Sequence, residues 1–195
     1  MNARRRLSRR TWLLPVAGVA LAVLAVTLWG QRLPKRFGIV AEGRLYRCGY
    51  VGADHLATLK QRYGIRTVLS LLAADAPETT AERRAARELG LRWINVPLRG
   101  DGSSTAAQRD EIRRVILDEQ LAPLLVHCAA GVNRTGLAVG MYRIWHDGWT
   151  VEQVLTEMRS CGFEDLPKHE NLRAALRSEW QAAHAAGAAS RPGGD

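Results

Sequence analysis

The chain has little that can hold a metal ion or build a disulfide framework. Its 195 residues include three cysteines and five histidines. Cys48, Cys128 and Cys161 form no Cys-x-x-Cys pair, and His55, His146, His169 and His184 are scattered without a His-x-x-x-His spacing. These absences leave no metal-ligand cluster in the sequence. Neither metal nor cofactor is expected. No internal repeat is present, so a solenoid is excluded. The first 36 residues contain no acid, and no charge of either sign occurs between Thr11 and Gln31. The chain carries 28 basic and 19 acidic residues, net +9. Eight of the basic residues lie within positions 1–36, which leaves 20 against 19, net +1, for the rest. The high basicity is therefore a property of the N-terminal flank, and no nucleic-acid partner is expected for the remainder.

The uncharged stretch Trp12–Trp29 is dominated by Leu, Val and Ala. A run of about twenty such residues is long enough to span a bilayer. Arg4, Arg5, Arg6, Arg9 and Arg10 precede it, and Arg32, Lys35 and Arg36 follow. More positive charge stands on the N-terminal side, so the positive-inside rule puts the N-terminus in the cytoplasm. The expected organisation is a basic cytoplasmic segment (1–11), a transmembrane anchor or uncleaved signal (12–30), a linker (31–36), one extracytoplasmic domain (37–184) and a disordered tail (185–195). An alternative stays open. Ser8-Arg9-Arg10-Thr11-Trp12-Leu13-Leu14 resembles a twin-arginine export signal, with Trp in place of the usual Phe. Against cleavage, the apolar core is long and no small-x-small site ends it.

The following residues alternate strand and helix patterns, which predicts an α/β fold with a mainly parallel central sheet flanked by helices. Val40–Cys48 reads as a hairpin about Glu42-Gly43. Asp54–Tyr63 reads as a helix ended by Gly64. Arg66–Leu72 and Leu91–Pro97 read as strands. Thr79-Thr80-Ala81-Glu82 offers a capping box for a helix to Leu89, ended by Gly90. Thr105-Ala106-Ala107-Gln108 opens a helix to Glu119 with Ile112, Val115 and Ile116 on one face. Leu124–His127 is a buried strand, and Leu137–Trp145 a helix. Thr150–Gln153 caps a helix ending near Cys161-Gly162, and Lys168–Ala185 is the last helix. Trp145 and Trp149 are expected in the core.

Between the strand at 124–127 and the next helix stands His127-Cys128-Ala129-Ala130-Gly131-Val132-Asn133-Arg134-Thr135-Gly136. A strand, a tight loop and a helix start bring backbone N–H groups to one point, which is an anion site. A cysteine at its base is a candidate thiolate nucleophile with a lowered pKa. An arginine fork at its rim can bind two phosphoryl oxygens at once.

This segment resembles the signature of the cysteine-dependent protein tyrosine phosphatases, and specifically their dual-specificity branch: His-Cys, five residues, Arg, then Ser or Thr. Arg44-Leu45-Tyr46-Arg47 resembles the opening strand of bacterial members. The resemblance implies a phosphoric monoester hydrolase acting on a phosphorylated protein or a small phosphoester. By that resemblance Cys128 attacks phosphorus, Arg134 holds the phosphoryl oxygens, Thr135 offers its hydroxyl to the sulfur and His127 braces the loop. The amides from Ala129 and Ala130 through Gly131, Val132 and Asn133 to Arg134 and Thr135 cradle the equatorial oxygens. The family places an acidic residue on a mobile upstream loop. Asp101, 27 residues before Cys128 and between two glycines, fits that place, with Asp75 and then Asp165 as further candidates. Lipid and inositol-phosphate phosphatases of this superfamily often carry lysines between the Cys and the Arg; here none occurs. The Asn133-Arg134-Thr135-Gly136 ending also resembles RNA 5′-triphosphatase members.

Cys48 and Cys161 are expected as separate small residues, with a pairing, or protection of Cys128 by one of them, as the alternative. Arg83, Arg84 and Arg87 give one basic helix face, read as solvated, with reception of an anionic substrate as the alternative.

Overall fold

A computed structural model describes residues 33–189 of the chain. The expected cytoplasmic segment at 1–11 and membrane span at 12–30 lie outside the described residues, as does everything from residue 190. Among the described residues no helix is long and apolar enough to cross a membrane.

Five short strands form one sheet: β1 (Gly38–Ala41), β2 (Leu45–Cys48), β3 (Thr67–Ser70), β4 (Arg92–Asn95) and β5 (Leu124–His127). Their order is β1-β2-β5-β3-β4, so β5 is central. The β1–β2 pair is the antiparallel hairpin expected at 40–48, and the other three pairings are parallel. All four residues of β2, β3 and β5 are buried. Strands buried on both faces read as continuous apolar runs, which explains Leu124-Leu125-Val126.

The helices are α1 (Ala53–Tyr63), α2 (Pro77–Glu88), α3 (Ala106–Leu117), α4 (Asn133–Asp147), α5 (Val151–Ser160) and α6 (Glu170–Ala189). Strand alternation sends side chains to opposite faces. Leu45, Leu69 and Val126 join the apolar cluster built with α3 to α6. Tyr46, Val68 and Leu125 join a second cluster with α1 and α2.

Two of the three expected capping boxes form. Thr105 accepts from the Gln108 N–H while Gln108 accepts from the Thr105 N–H, and Thr150 with Gln153 repeats the arrangement. The box at Thr79–Glu82 does not form. Pro77 sets the first helical φ, so α2 begins two residues before Thr79. The Thr79 hydroxyl instead donates to the Ala73 carbonyl at 2.7 Å, and Glu82 is turned into the interior. Two further expectations are corrected. Helix α4 begins at Asn133, not Leu137, so the loop arginine belongs to its first turn. Helix α6 continues through residues 186–189, where an alanine-rich run favours helix over the expected disordered tail.

Candidate active site

Strand β5 ends at His127 in the middle of the sheet, and the chain turns through Cys128–Val132 into α4. The turn requires Gly131, whose φ is +74°. A Cβ there would also lie 2.7 Å from the Gly49 nitrogen and 2.8 Å from the Cys48 carbonyl. Only glycine meets both conditions. Cys128 therefore sits at the carboxyl end of a central parallel strand and at the N-terminus of α4, where the helix dipole favours negative charge.

Cys128 is 2% exposed. Its sulfur accepts from the Gly131 N–H at 3.2 Å. Burial pushes the thiol up. Hydrogen bonds from the Thr135 hydroxyl and N–H, the nearby Arg134 charge and a hydrogen bond from the Gly131 N–H together outweigh it and hold the thiol below its usual range. The Thr135 hydroxyl also lies 3.4 Å from the Cys48 carbonyl oxygen. Arg134 Nη1 donates to the Leu71 carbonyl at 3.1 Å and to the Leu98 carbonyl at 3.4 Å. The chain just beyond β3 and β4 thus holds the arginine from outside. Ala129 and Ala130 are exposed, while Val132 and Asn133 are half-buried.

His127 is fully buried, and its Nε2 lies 2.9 Å from Oε1 of Glu82. The same oxygen accepts from Trp93 Nε1 at 2.8 Å, and Oε2 accepts from the Ser70 hydroxyl at 3.4 Å. Nδ1 of His127 is buried without a partner among the described residues. Sequence reasoning assigned Glu82 to a helix cap and so missed it here. The available signal was its position on α2, on the face that buries Thr79, Ala85 and Ala86.

The three candidate acids are placed differently. Asp101 is exposed in the turn before α3, and its Oδ1 accepts from the Ser103 N–H at 2.9 Å. That bond, a second from the Ser103 hydroxyl and the nearby Arg99 charge hold its carboxyl below the usual range. Asp75 lines a cleft of about 620 Å³ with Ala73, Pro97, Leu98, Arg99 and Ser103. The cleft lies beside the Leu98 carbonyl that anchors Arg134. Asp165 is held by Arg159 and Arg173 in an ion-pair network, which keeps its carboxyl below the usual range.

Cys48 is buried and Cys161 half-buried, and both are free. Burial, and then the neighbouring Cys128, push the Cys48 thiol well up. Trp145 and Trp149 are half-buried at the margin of the larger cluster rather than inside it. Arg83, Arg84 and Arg87 are exposed along α2, with Arg83 over the Trp93 ring. Among the described residues no group of His, Cys, Asp or Glu is placed to hold a metal ion.

Comparison with known proteins identifies the family. The family model described as "DSP-PTPase phosphatase fused to NAD+ Kinase" matches residues 31–174. The chain is 34% identical over 164 residues to the dual specificity protein phosphatase TpbA of Pseudomonas aeruginosa, covering 84% of this chain and 72% of that one. Against TpbA from a second strain the match spans 58% of the relative's length. The inositol diphosphatase DSP5 of Arabidopsis thaliana is 28% identical over 131 residues, 66% of this chain and 62% of the relative. The crystal structure of P. aeruginosa TpbA superposes with a TM-score of 0.61 at 28% identity, over 77% of this chain and 91% of that one. With well over half its length matched and the signature loop in place, the chain belongs to the dual-specificity branch of the cysteine-dependent protein tyrosine phosphatases.

Proposed function

We propose that the chain hydrolyses phosphoric monoesters, with phosphorylated proteins as the first substrate class, through a phosphocysteine intermediate. The Cys128 thiolate attacks phosphorus and the bond to the ester oxygen breaks. The protonated Asp101 carboxyl gives its proton to that oxygen, and the alcohol or phenol departs. Water then attacks phosphorus, Asp101 takes its proton, and the sulfur–phosphorus bond breaks to release inorganic phosphate and the thiolate. Arg134 and the loop amides of Ala129–Thr135 hold the three equatorial oxygens throughout, so catalysis is positioning and charge stabilisation. Thr135 stabilises the departing thiolate, and His127 braces the loop. The observation that carries this reading is the depressed Cys128 thiol facing the Gly131 and Thr135 donors.

Asp101 must carry a proton to act as the acid, yet Ser103 favours its ionised form. A bound phosphoryl dianion reverses that preference, because a nearby like charge raises a carboxyl pKa. Residues 99–104 therefore swing Asp101 over the loop once substrate is bound. Phosphate release from an aryl phosphate and from a phosphotyrosine peptide tests the reading. Cys128→Ser abolishes turnover, and Asp101→Asn slows it by about 10²–10⁴-fold. Absence of turnover in the folded, reduced wild-type chain overturns it in favour of an inactive phosphate-binding module.

A non-protein phosphoester is the second reading, favoured by the relatives named inositol diphosphatases. Against it, positions 129–133 supply no cation for a second phosphate. Faster turnover of a diphosphoinositol polyphosphate than of the peptide reverses the order.

The uncharged run at 12–30 and its arginine flank support a single-pass anchor with the catalytic domain extracytoplasmic. A reporter fused after Asp195 that is active only in the cytoplasm refutes that topology.

A further inference from the structure

Three consecutive carbonyls of the loop are held from outside by donors that lie outside the signature. The Tyr50 N–H donates to the Ala129 carbonyl at 3.0 Å. Arg36 Nη1 donates to the Ala130 carbonyl at 3.0 Å. Arg47 Nη2 donates to the Gly131 carbonyl at 2.8 Å. A trans peptide is planar, with C=O and the next N–H pointing opposite ways. Fixing these carbonyls outward therefore fixes the N–H groups of Ala130, Gly131 and Val132 inward. The Gly131 N–H, directed at the Cys128 sulfur, shows the result.

Arg47 differs from the other two donors. Arg36 is exposed and Tyr50 contributes only its backbone. Arg47 is 4% exposed, and its Nε and Nη1 are buried with no hydrogen-bond partner among the described residues. No carboxylate pairs with it among the described residues. A buried guanidinium with one hydrogen bond and no counter-ion costs stability relative to an apolar side chain. Folding alone gives no reason to keep it at the end of β2. The single bond it makes is to the loop. Strand and loop touch closely enough for this, because a Cβ on Gly49 would already lie 3.1 Å from the Ala129 carbonyl oxygen.

We propose that Arg47 is a positioning residue for the phosphatase reaction: it holds the Gly131–Val132 peptide so that the Val132 N–H faces the phosphoryl group. The proposal rests on the reading of the loop as a phosphate site. It needs no contact between Arg47 and substrate.

The test measures two quantities on the full chain: the dissociation constant of inorganic phosphate by calorimetry, and kcat and KM on an aryl phosphate. Arg47→Met keeps the volume and removes the donor. Phosphate binding is expected to weaken about tenfold, as for loss of one hydrogen bond to a charged acceptor. The transition state carries more charge on the same oxygens, so kcat falls at least as far while KM changes less. The thermal midpoint stays level or rises, since a buried unpaired charge has gone. Arg47→Gln, too short to reach the Gly131 carbonyl, gives the same pattern and serves if Met does not fold. Arg47→Lys restores part of the phosphate affinity. A folded Met or Gln variant that binds phosphate within twofold of wild type overturns the proposal. So does a loss of kcat that simply follows a loss of thermal stability. Because calorimetry reads phosphate directly, an inactive wild-type chain would sink the phosphatase reading while leaving this proposal decidable.

Discussion

The Cys128 thiol is held below its usual range because three hydrogen-bond donors and the Arg134 charge outweigh its burial, and Thr135 supplies two of the donors. Removing the hydroxyl with Thr135→Ala returns the thiol toward its ordinary range. The pH profile of iodoacetamide alkylation, and the acid limb of kcat/KM, then move upward. The sign for stability follows. A folded thiol pKa below the unfolded one means that the unfolded chain holds the proton longer as pH rises. Cys128 thus stabilises the fold fully above the unfolded thiol pKa and loses that contribution as pH falls through the folded one. Thr135→Ala narrows this window. Glu82 is the second sensitive residue. It is the shared acceptor for His127, Trp93 and Ser70 inside the sheet–helix interface. Glu82→Ala leaves two buried polar groups and the half-buried Trp93 N–H without it and costs about 3–5 kcal/mol in urea unfolding. Glu82→Gln keeps the shape and one acceptor and costs about 1–3 kcal/mol. An unchanged midpoint in either variant refutes the bracing role. The assignment of the acid is tested by leaving group. Asp101→Asn slows an alkyl phosphate far more than an activated aryl phosphate, whose phenolate leaves without a proton. If Asp75→Asn shows that selectivity instead, the acid is Asp75.

At the scale of elements, α4 is the centre of the larger apolar cluster, packed against β2, β5, α3, α5 and α6. Thr135 through Tyr142 are all buried. Gly140 lets α5 and α6 close on it: a Cβ there would lie 2.5 Å from Val154 Cγ1 and 2.9 Å from Leu176 Cδ2. Alanine at an exposed helix position gains about 1 kcal/mol over glycine. Here overpacking of about 1–3 kcal/mol opposes that gain. Gly140→Ala is expected to lower the thermal midpoint, by about 2–4 °C per kcal/mol of net loss. A raised midpoint means that α5 and α6 move aside freely. Helices α3, α4 and α6 are further tied through Glu179, which accepts from Arg109, Arg113 and Trp145. Legibility was uneven at this scale. Thr105–Gln108 and Thr150–Gln153 were readable as caps because both partners lie within one turn. Thr79–Glu82 has the same local pattern but a different fate, because Glu82 answers to His127 on a strand 45 residues away. A local motif carries no information about such a partner.

At the scale of the whole molecule, among the described residues both apolar clusters are built from residues between Tyr46 or Val40 and Leu176, within the unit that starts at Leu33. Removal of residues 1–32 is therefore expected to leave kcat/KM and the unfolding midpoint of the remaining chain unchanged. A large fall in either would show that the N-terminal segment completes the domain. The sequence by itself determined the α/β class, the central apolar strand at 124–127, the loop that follows it and the pairing of Cys128 with Arg134 in one anion site. Those features are local: strand, turn and helix start are adjacent in the chain, and the loop's chemistry is contained within it. Tertiary structure alone decided what surrounds that loop. The order β1-β2-β5-β3-β4 brings Arg47 from one neighbouring strand and the Leu71 and Leu98 carbonyls from beyond two others. It also buries Glu82 against His127. These contacts join residues far apart in sequence, and their energies depend on burial and register, which exist only once the sheet has formed.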